Sequence, residues 1–308
     1  MAEQTPELIW FNGKVRPWEE ATVHVWSELA VRGTSVFEGI RAYWRADEEQ
    51  YRILAINEHM RRMRRSCKLL WIPADEEMFV QLEKGMGELL HALDFREHAY
   101  LRPTIYIERG RYGTDSASTQ LGSYITSFPV PRPVQTDTGT RLKVSSWRRA
   151  HDLTISPMIK TGGAYQAFRG PMVEAQRAGF DDAIMLNDEG TVAETPGAAV
   201  FVVRDGRVTT PPVSSGLLES ITREKVVELM RLEFGVEVEQ RPIARSELYI
   251  ADEVFICGTL AEVQPVVDVD HHLIGNGKPG AFTTRLRDRF HSICVDGDRE
   301  PEGWFTHV

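Results

Sequence analysis

Three prolines within five positions, Pro129, Pro131 and Pro133, interrupt the chain in the stretch "SFPVPRPVQTDTGT". Proline lacks the amide hydrogen that helices and sheets need, and it biases the preceding residue away from helix. No regular element can run unbroken through this stretch, and its polar tail up to Thr140 has the composition of a loop. The sequence is therefore expected to form a smaller N-terminal domain over 1–129, an interdomain loop over 130–139 and a larger C-terminal domain over 140–308. At 308 residues the chain is long enough for each part to bury a core.

Turn chemistry shapes both parts. Asn12-Gly13 in "ELIWFNGKVRP" and Asp205-Gly206 in "AAVFVVRDGRVTT" are favoured two-residue hairpin loops. "AIMLNDEGTVAE" and "ADEVFICGTLAEVQPVVDV" read as strand, turn, strand, and "AYLRPTIYIERG" as a β-rich run. "NEHMRRMRRSCKLLW" sets Met60, Met63, Leu70 and Trp71 among basic residues, as an amphipathic helix does. "ITREKVVELMRLEFGVEV" predicts a helix with Val227, Met230 and Phe234 on one face and Gly235 just past its end. The mixture indicates an α+β protein with antiparallel sheets rather than a doubly wound parallel one.

Hydrophobic content of 42% suits a globular protein, and a net charge of −9 argues against nucleic acid as a partner. Cys67, Cys257 and Cys294 are far apart and in no metal spacing, which suits a reducing, cytoplasmic setting. The first residues lack the pattern of a secretory signal, and no apolar run approaches the length of a membrane span, so no membrane partner is expected.

Several residues stand out chemically. Lys160 in "PMIKTGGAYQAF" follows an apolar run and precedes Gly162 and Gly163, which leave space for a bulky group near it. Tyr165 follows five residues later. A surface lysine ahead of a glycine turn would read the same way. In "SSGLLESITREKVVEL" a loop of small polar residues enters a helix whose first turn holds Ile221 and Thr222. Such a terminus is either an ordinary cap or an anion site. Gly258 and Thr259 in "CGTLAEV" could add donors, and Arg62 in "RRMRRSCK" a charge, with Arg61, Arg64 and Arg65 left to solvent. Glu194 ends an apolar strand before Thr-Pro-Gly, as a solvated hairpin end or as an inward carboxylate. Tyr100 and Arg102 in "AYLRP" share one face of a strand and could grip a carboxylate.

Taken together, "GTSVFEGIRAY", "EHMRRMRRSCKLL", "AYLRP", "SSWRRA", "IKTGGAY", "DDAIMLNDEGTVAETPG", "ITREKVVEL" and "ADEVFICGTLAEVQPV" resemble the class IV (fold-type IV) pyridoxal-phosphate aminotransferases, most closely the branched-chain amino acid enzymes. The resemblance covers nearly the whole chain. It implies two α/β domains with pyridoxal 5′-phosphate at their interface, and a homodimer or higher oligomer. It further implies transfer of an amino group from an L-amino acid to a 2-oxo acid, with 2-oxoglutarate as the expected acceptor. Lys160 matches the lysine that binds the cofactor covalently. Glu194 matches the carboxylate on the pyridine nitrogen. Arg62, Ile221, Thr222 and Thr259 match the phosphate cradle, Tyr165 a tyrosine near the phenolic oxygen and Leu218 a residue on the ring face. Phe37, Gly39, Tyr100, Arg102, Gly258 and Leu260 match the substrate pocket.

Two departures fall in that pocket. Arg32 stands where branched-chain enzymes often carry a tyrosine that reaches the neighbouring subunit, and Val130 and Pro133 stand where aromatic residues are common. The pocket is therefore expected to be reshaped. D-amino acid or (R)-amine transaminases and aminodeoxychorismate lyases share the fold and remain alternatives, although they lack "AYLRP".

Overall fold

The computed structural model describes residues 6–110, 117–132 and 135–308. Its contacts divide the chain into two compact units. The first comprises the residues up to Pro131 together with Ile159–Gly163 and Arg299–Val308, and the second comprises Arg132–Met158 and Ala164–Asp298. Pro133 lies outside the described residues.

The sheet of the first unit runs in the order Phe305–His307, Gln50–Leu54, Ile40–Arg45, Ala99–Arg109, Gln120–Pro129, Leu8–Phe11 and Lys14–Pro17, with Ser35–Phe37 also paired to Ala99–Arg109. Every strand pairing in it is antiparallel. The Asn12-Gly13 turn forms as its chemistry requires, both residues having positive φ. Helices Ile56–Leu69 and Glu76–Leu93 cover the sheet, joining Met60, Met63, Phe79, Leu82, Met86 and Leu89 to Ile40, Ile53 and Ile105 in one core. Asp75 caps the second helix by accepting from Met78 N–H at 2.9 Å. The first helix ends at Leu69, earlier than its apolar pattern suggests, and Trp71 is 82% exposed.

The second unit is built on a mixed sheet. Its order is Val192–Glu194, Asp182–Leu186, Thr140–Arg148, Glu262–Val269, Glu253–Gly258, Ala199–Arg204, Arg207–Thr210 and Glu239–Gln240, with His272–Leu273 at the side. The anticipated hairpins are present, but three pairings are parallel, which corrects the expectation of antiparallel sheets. Parallel neighbours need a crossover. Helix Gln166–Arg177 supplies one between Thr140–Arg148 and Asp182–Leu186, and helix Ile221–Phe234 another before Glu239–Gln240.

Ser220 caps helix Ile221–Phe234 by accepting from Arg223 N–H at 3.2 Å, and Gly235 closes it with a left-handed φ of 63°. Its buried residues include Thr222, Val226, Leu229 and Met230, whereas Val227 and Phe234 lie outside the buried set. The buried face is thus turned by about one residue from the stripe of Val227, Met230 and Phe234, of which Met230 alone is buried. Phe234 instead packs edge-on to Phe282 and under Arg285. A short helix, Gln135–Thr138, falls inside the stretch expected to be loop. Among the described residues no helix is long and apolar enough to cross a membrane.

Candidate active site

In the first unit, helix Ile56–Leu69 carries two buried stripes one residue apart. Met60, Met63 and Cys67 are apolar, while His59, Arg62 and Ser66 are polar. Both stripes follow the i, i+3, i+7 spacing of one helix face. The polar stripe meets Glu38, which follows strand Ser35–Phe37. Arg62 donates to Glu38 through Nε at 2.8 Å and Nη2 at 2.6 Å, and His59 Nδ1 lies 2.7 Å from the same carboxylate. Burial pushes the Glu38 carboxyl up, but the charge and hydrogen bonds of Arg62, with those of His59, outweigh it and hold the carboxyl at about 2. An ionised carboxylate only accepts, so His59 Nδ1 is the donor of this pair. Burial lowers the His59 pKa more than Glu38 raises it, and the nearby charges of Arg62 and Lys160 lower it further.

Ser66, the last member of the polar stripe, accepts from the Lys160 N–H at 3.2 Å. The segment around Lys160 lies along strand Ser35–Phe37: Phe37 N–H donates to Lys160 O at 3.1 Å, and Gly162 N–H to Ser35 O at 3.2 Å. A side chain on Gly162 would place its Cβ 2.6 Å from Ser35 Oγ, so the bare backbone is what permits this approach. Lys160 Nζ lies 5.0 Å from the centre of the Phe37 ring, and the Arg102 guanidinium lies 3.9 Å from the same ring. Tyr100 packs on Phe128 with its hydroxyl over Gly39, where a Cβ would be 2.3 Å away. Lys160, Phe37, Gly39, Tyr100 and Arg102 are thus drawn together within one unit. Arg32 is turned aside, pairing with Glu28 at 2.8 Å with its side chain 42% exposed. Val130 is half-buried, and its carbonyl accepts from Arg41 at 3.1 Å.

In the second unit, Glu194 is an inward carboxylate and not a solvated hairpin end, being only 6% exposed. Arg149 Nε donates to its Oε1 at 2.6 Å and Leu218 N–H to its Oε2 at 3.2 Å. After it, Thr195 Oγ1 accepts from Ala198 N–H at 2.9 Å, which closes the Thr-Pro-Gly-Ala turn. Gly258 abuts that turn, for a Cβ there would lie 2.6 Å from Gly197 O. Ile221 and Thr222 are buried in the first turn of their helix, Thr259 is half-buried and Leu260 exposed. Tyr165 is 36% exposed and stands edge-on to Phe168 at 4.9 Å.

Three partners escaped the sequence reading. Glu38 sits inside "SVFEGIRAY", and His59 is polar at core spacing, so the helical periodicity carried a signal for the latter. Arg149, in "SSWRRA", is buried beside an exposed Arg148, and nothing local distinguishes the two.

The first unit thus presents an amine beside an aromatic ring and a guanidinium, and the second a buried carboxylate held at both oxygens and a capped helix terminus. Residues 35–269 match the amino-transferase class IV family, and the chain belongs to it. It is 39% identical to a probable branched-chain-amino-acid aminotransferase of Aquifex aeolicus, over 98% of this chain and 97% of the relative. It is 34% identical to the branched-chain-amino-acid aminotransferase of Escherichia coli K12, over 100% of this chain and 99% of that one. Among solved structures, it is similar to the branched-chain amino acid aminotransferase of Thermobaculum terrenum in its PLP form, with a TM-score of 0.91 and 35% identity over 99% of both chains. A T.th. branched-chain amino acid aminotransferase complexed with N-(5′-phosphopyridoxyl)-L-glutamate gives a TM-score of 0.88 at 35% identity over 98% of both chains. The chain is a fold-type IV aminotransferase, and pyridoxal 5′-phosphate is the cofactor of its class.

The residues present fit that cofactor. Glu194 has accepting lone pairs beyond the two that Arg149 and Leu218 use, as a protonated ring nitrogen requires. The start of helix Ile221–Phe234 offers amide donors of the kind that hold phosphate.

Proposed function

We propose that the chain transfers an amino group from an L-amino acid to a 2-oxo acid, with 2-oxoglutarate as acceptor and a side-chain pocket unlike that of branched-chain enzymes. The observation that carries this reading is the pair of cations on Phe37. Arg102 has no carboxylate partner among the described residues, and it shares the ring with the Lys160 amine. A substrate carboxylate bound by Arg102 would bring its neighbouring carbon towards that amine. The T.th. relative that holds a phosphopyridoxyl-L-glutamate supports glutamate, and hence 2-oxoglutarate, as one substrate pair.

When bound, the cofactor supplies the carbonyl that takes up the amino group and a ring that accepts electrons. Lys160 supplies the amine that holds the cofactor and, when freed, moves the proton at the substrate Cα. Glu194 would accept from the ring nitrogen. Arg62, the amides of Ile221 and Thr222, and Thr259 would hold the phosphate. Tyr165 would steady the phenolic oxygen, and Leu218 would pack on the ring. Phe37, Gly39, Tyr100, Gly258 and Leu260 line the substrate side, with Val130 at its wall.

Arg32, in place of an aromatic residue, is paired with Glu28 at the surface of its own chain, where a second copy would meet the pair. A homodimer is further supported by Val25 and Trp26, which are 80% and 81% exposed. A cytoplasmic setting agrees with three cysteines that are buried and far apart in the sequence.

A panel of L-, D- and non-α-amines, read by spectral conversion of the bound cofactor, tests this reading without assuming an acceptor. Conversion by L-amino acids, a donor better than valine, leucine and isoleucine, and regeneration by 2-oxoglutarate are expected. Full branched-chain activity with no better donor would overturn the altered pocket. Conversion only by D-amino acids or (R)-amines would overturn the L-preference.

A further inference from the structure

Arg149 is a costly residue to place where it stands. Its side chain is 4% exposed, its guanidinium lies 5.0 Å from the Phe168 ring, and its backbone N–H is tied to Leu186 O at 2.8 Å. Nη1 is buried with no hydrogen-bond partner among the described residues. A buried guanidinium with an unmatched nitrogen is a poor choice on grounds of packing, since an apolar side chain would fill the same space without that penalty. What the arginine does achieve is a single short bond, Nε to Glu194 Oε1 at 2.6 Å. With Leu218 N–H on Oε2, this bond fixes the plane of the carboxylate from two sides.

We infer that Arg149 is a positioning residue of the transamination site. It supplies the counter-charge to Glu194 and orients the carboxylate so that a remaining lone pair meets the ring nitrogen of pyridoxal 5′-phosphate. The inference rests on the reading that Glu194 faces that nitrogen. Arg149 itself touches neither the substrate nor the reacting atoms. A cavity of about 270 Å³ lies beside it, lined among others by His151, Pro157, Asn187 and Ser215.

The test compares two ligands on the full-length apo chain: pyridoxal 5′-phosphate and its 1-deaza analogue, in which the ring nitrogen is a carbon. Dissociation constants are measured for the wild-type chain and for Arg149→Gln, Arg149→Lys and Glu194→Gln. Losing one charged hydrogen bond is expected to weaken the natural cofactor about tenfold or more in Arg149→Gln. The affinity for the deaza analogue should stay unchanged, because the analogue has no nitrogen for Glu194 to meet. Arg149→Lys, which keeps the charge but not the Nε geometry, should fall between wild type and Arg149→Gln. It also carries the test if Arg149→Gln does not fold. Glu194→Gln should discriminate between the ligands in the same sense. If Glu194→Gln discriminates but the Arg149 variants weaken both ligands equally, or neither, Arg149 is only structural and the inference is overturned. If Glu194→Gln does not discriminate, the reading of Glu194 falls and takes the inference with it.

Discussion

Glu38 and Arg62 form a two-point ion pair, 2.8 and 2.6 Å long, with both side chains buried. Removing one member of such a pair takes the two-point partner from a charge that stays buried. Glu38→Gln is therefore expected to destabilise the chain by about 3–5 kcal/mol. Urea denaturation followed by tryptophan fluorescence measures the loss, and Trp10 and Trp304 are fully buried reporters. A loss below about 1 kcal/mol, the value typical of an exposed pair, would contradict the buried geometry.

The same cluster sets an acid response in two stages. His59 has a lowered pKa in the folded chain, so the unfolded chain binds its proton first. The stability from neutral His59 is present above the ordinary histidine value of about 6.5 and is lost as the pH falls below it. Glu38 has its pKa lowered to about 2, so its contribution is present above the ordinary carboxylate range and is lost as the pH falls towards 2. Thermal midpoints should fall in two steps with acidification. His59→Gln should flatten the upper step, and an unchanged upper step would assign it to another group.

Lys160 donates through its backbone N–H to Ser66, and its carbonyl accepts from Phe37, so truncating the side chain leaves the local frame intact. Lys160→Ala should unfold within about 1 kcal/mol of wild type. It should also lose transamination by about 10²–10⁴-fold from the missing proton transfer alone. Its mixture with the cofactor should lack the spectral change of the wild type. Residual turnover within about tenfold of wild type would move the catalytic amine elsewhere.

Gly39 does not have the positive φ that demands glycine, so its role is one of space. An added Cβ would lie 2.3 Å from the Tyr100 hydroxyl and 3.0 Å from its ring, and the tyrosine must swing away from its place beside Phe128. Gly39→Ala is expected to cost about 1–3 kcal/mol by overpacking. KM for amino acid donors should rise more than kcat falls. A fall in kcat at constant KM would show that Tyr100 acts on the reacting atoms and not on the pocket wall.

Much of this architecture was legible in one dimension. Asn12-Gly13 and Asp205-Gly206 fixed two hairpins, because both turns demand the left-handed backbone that glycine and its small polar neighbours adopt. Ser220 and Gly235 bracketed a helix for equally local reasons. The parallel pairings of Thr140–Arg148 were not legible, since a crossover depends on where a helix packs and not on the strand itself. Nor was the buried face of helix Ile221–Phe234, which turns on neighbours supplied from elsewhere in the second unit.

By itself the sequence determined which residue types stand at which spacing: the lysine before two glycines, the glutamate before Thr-Pro-Gly and the arginine in a basic run. Only the tertiary structure decided their partners. Arg62 meets Glu38 from 24 positions away, and Arg149 meets Glu194 from 45. A turn is set by the backbone preferences of adjacent residues. The state of a buried charge is set by whichever group folding brings within about 3 Å, and that choice has no trace in local spacing.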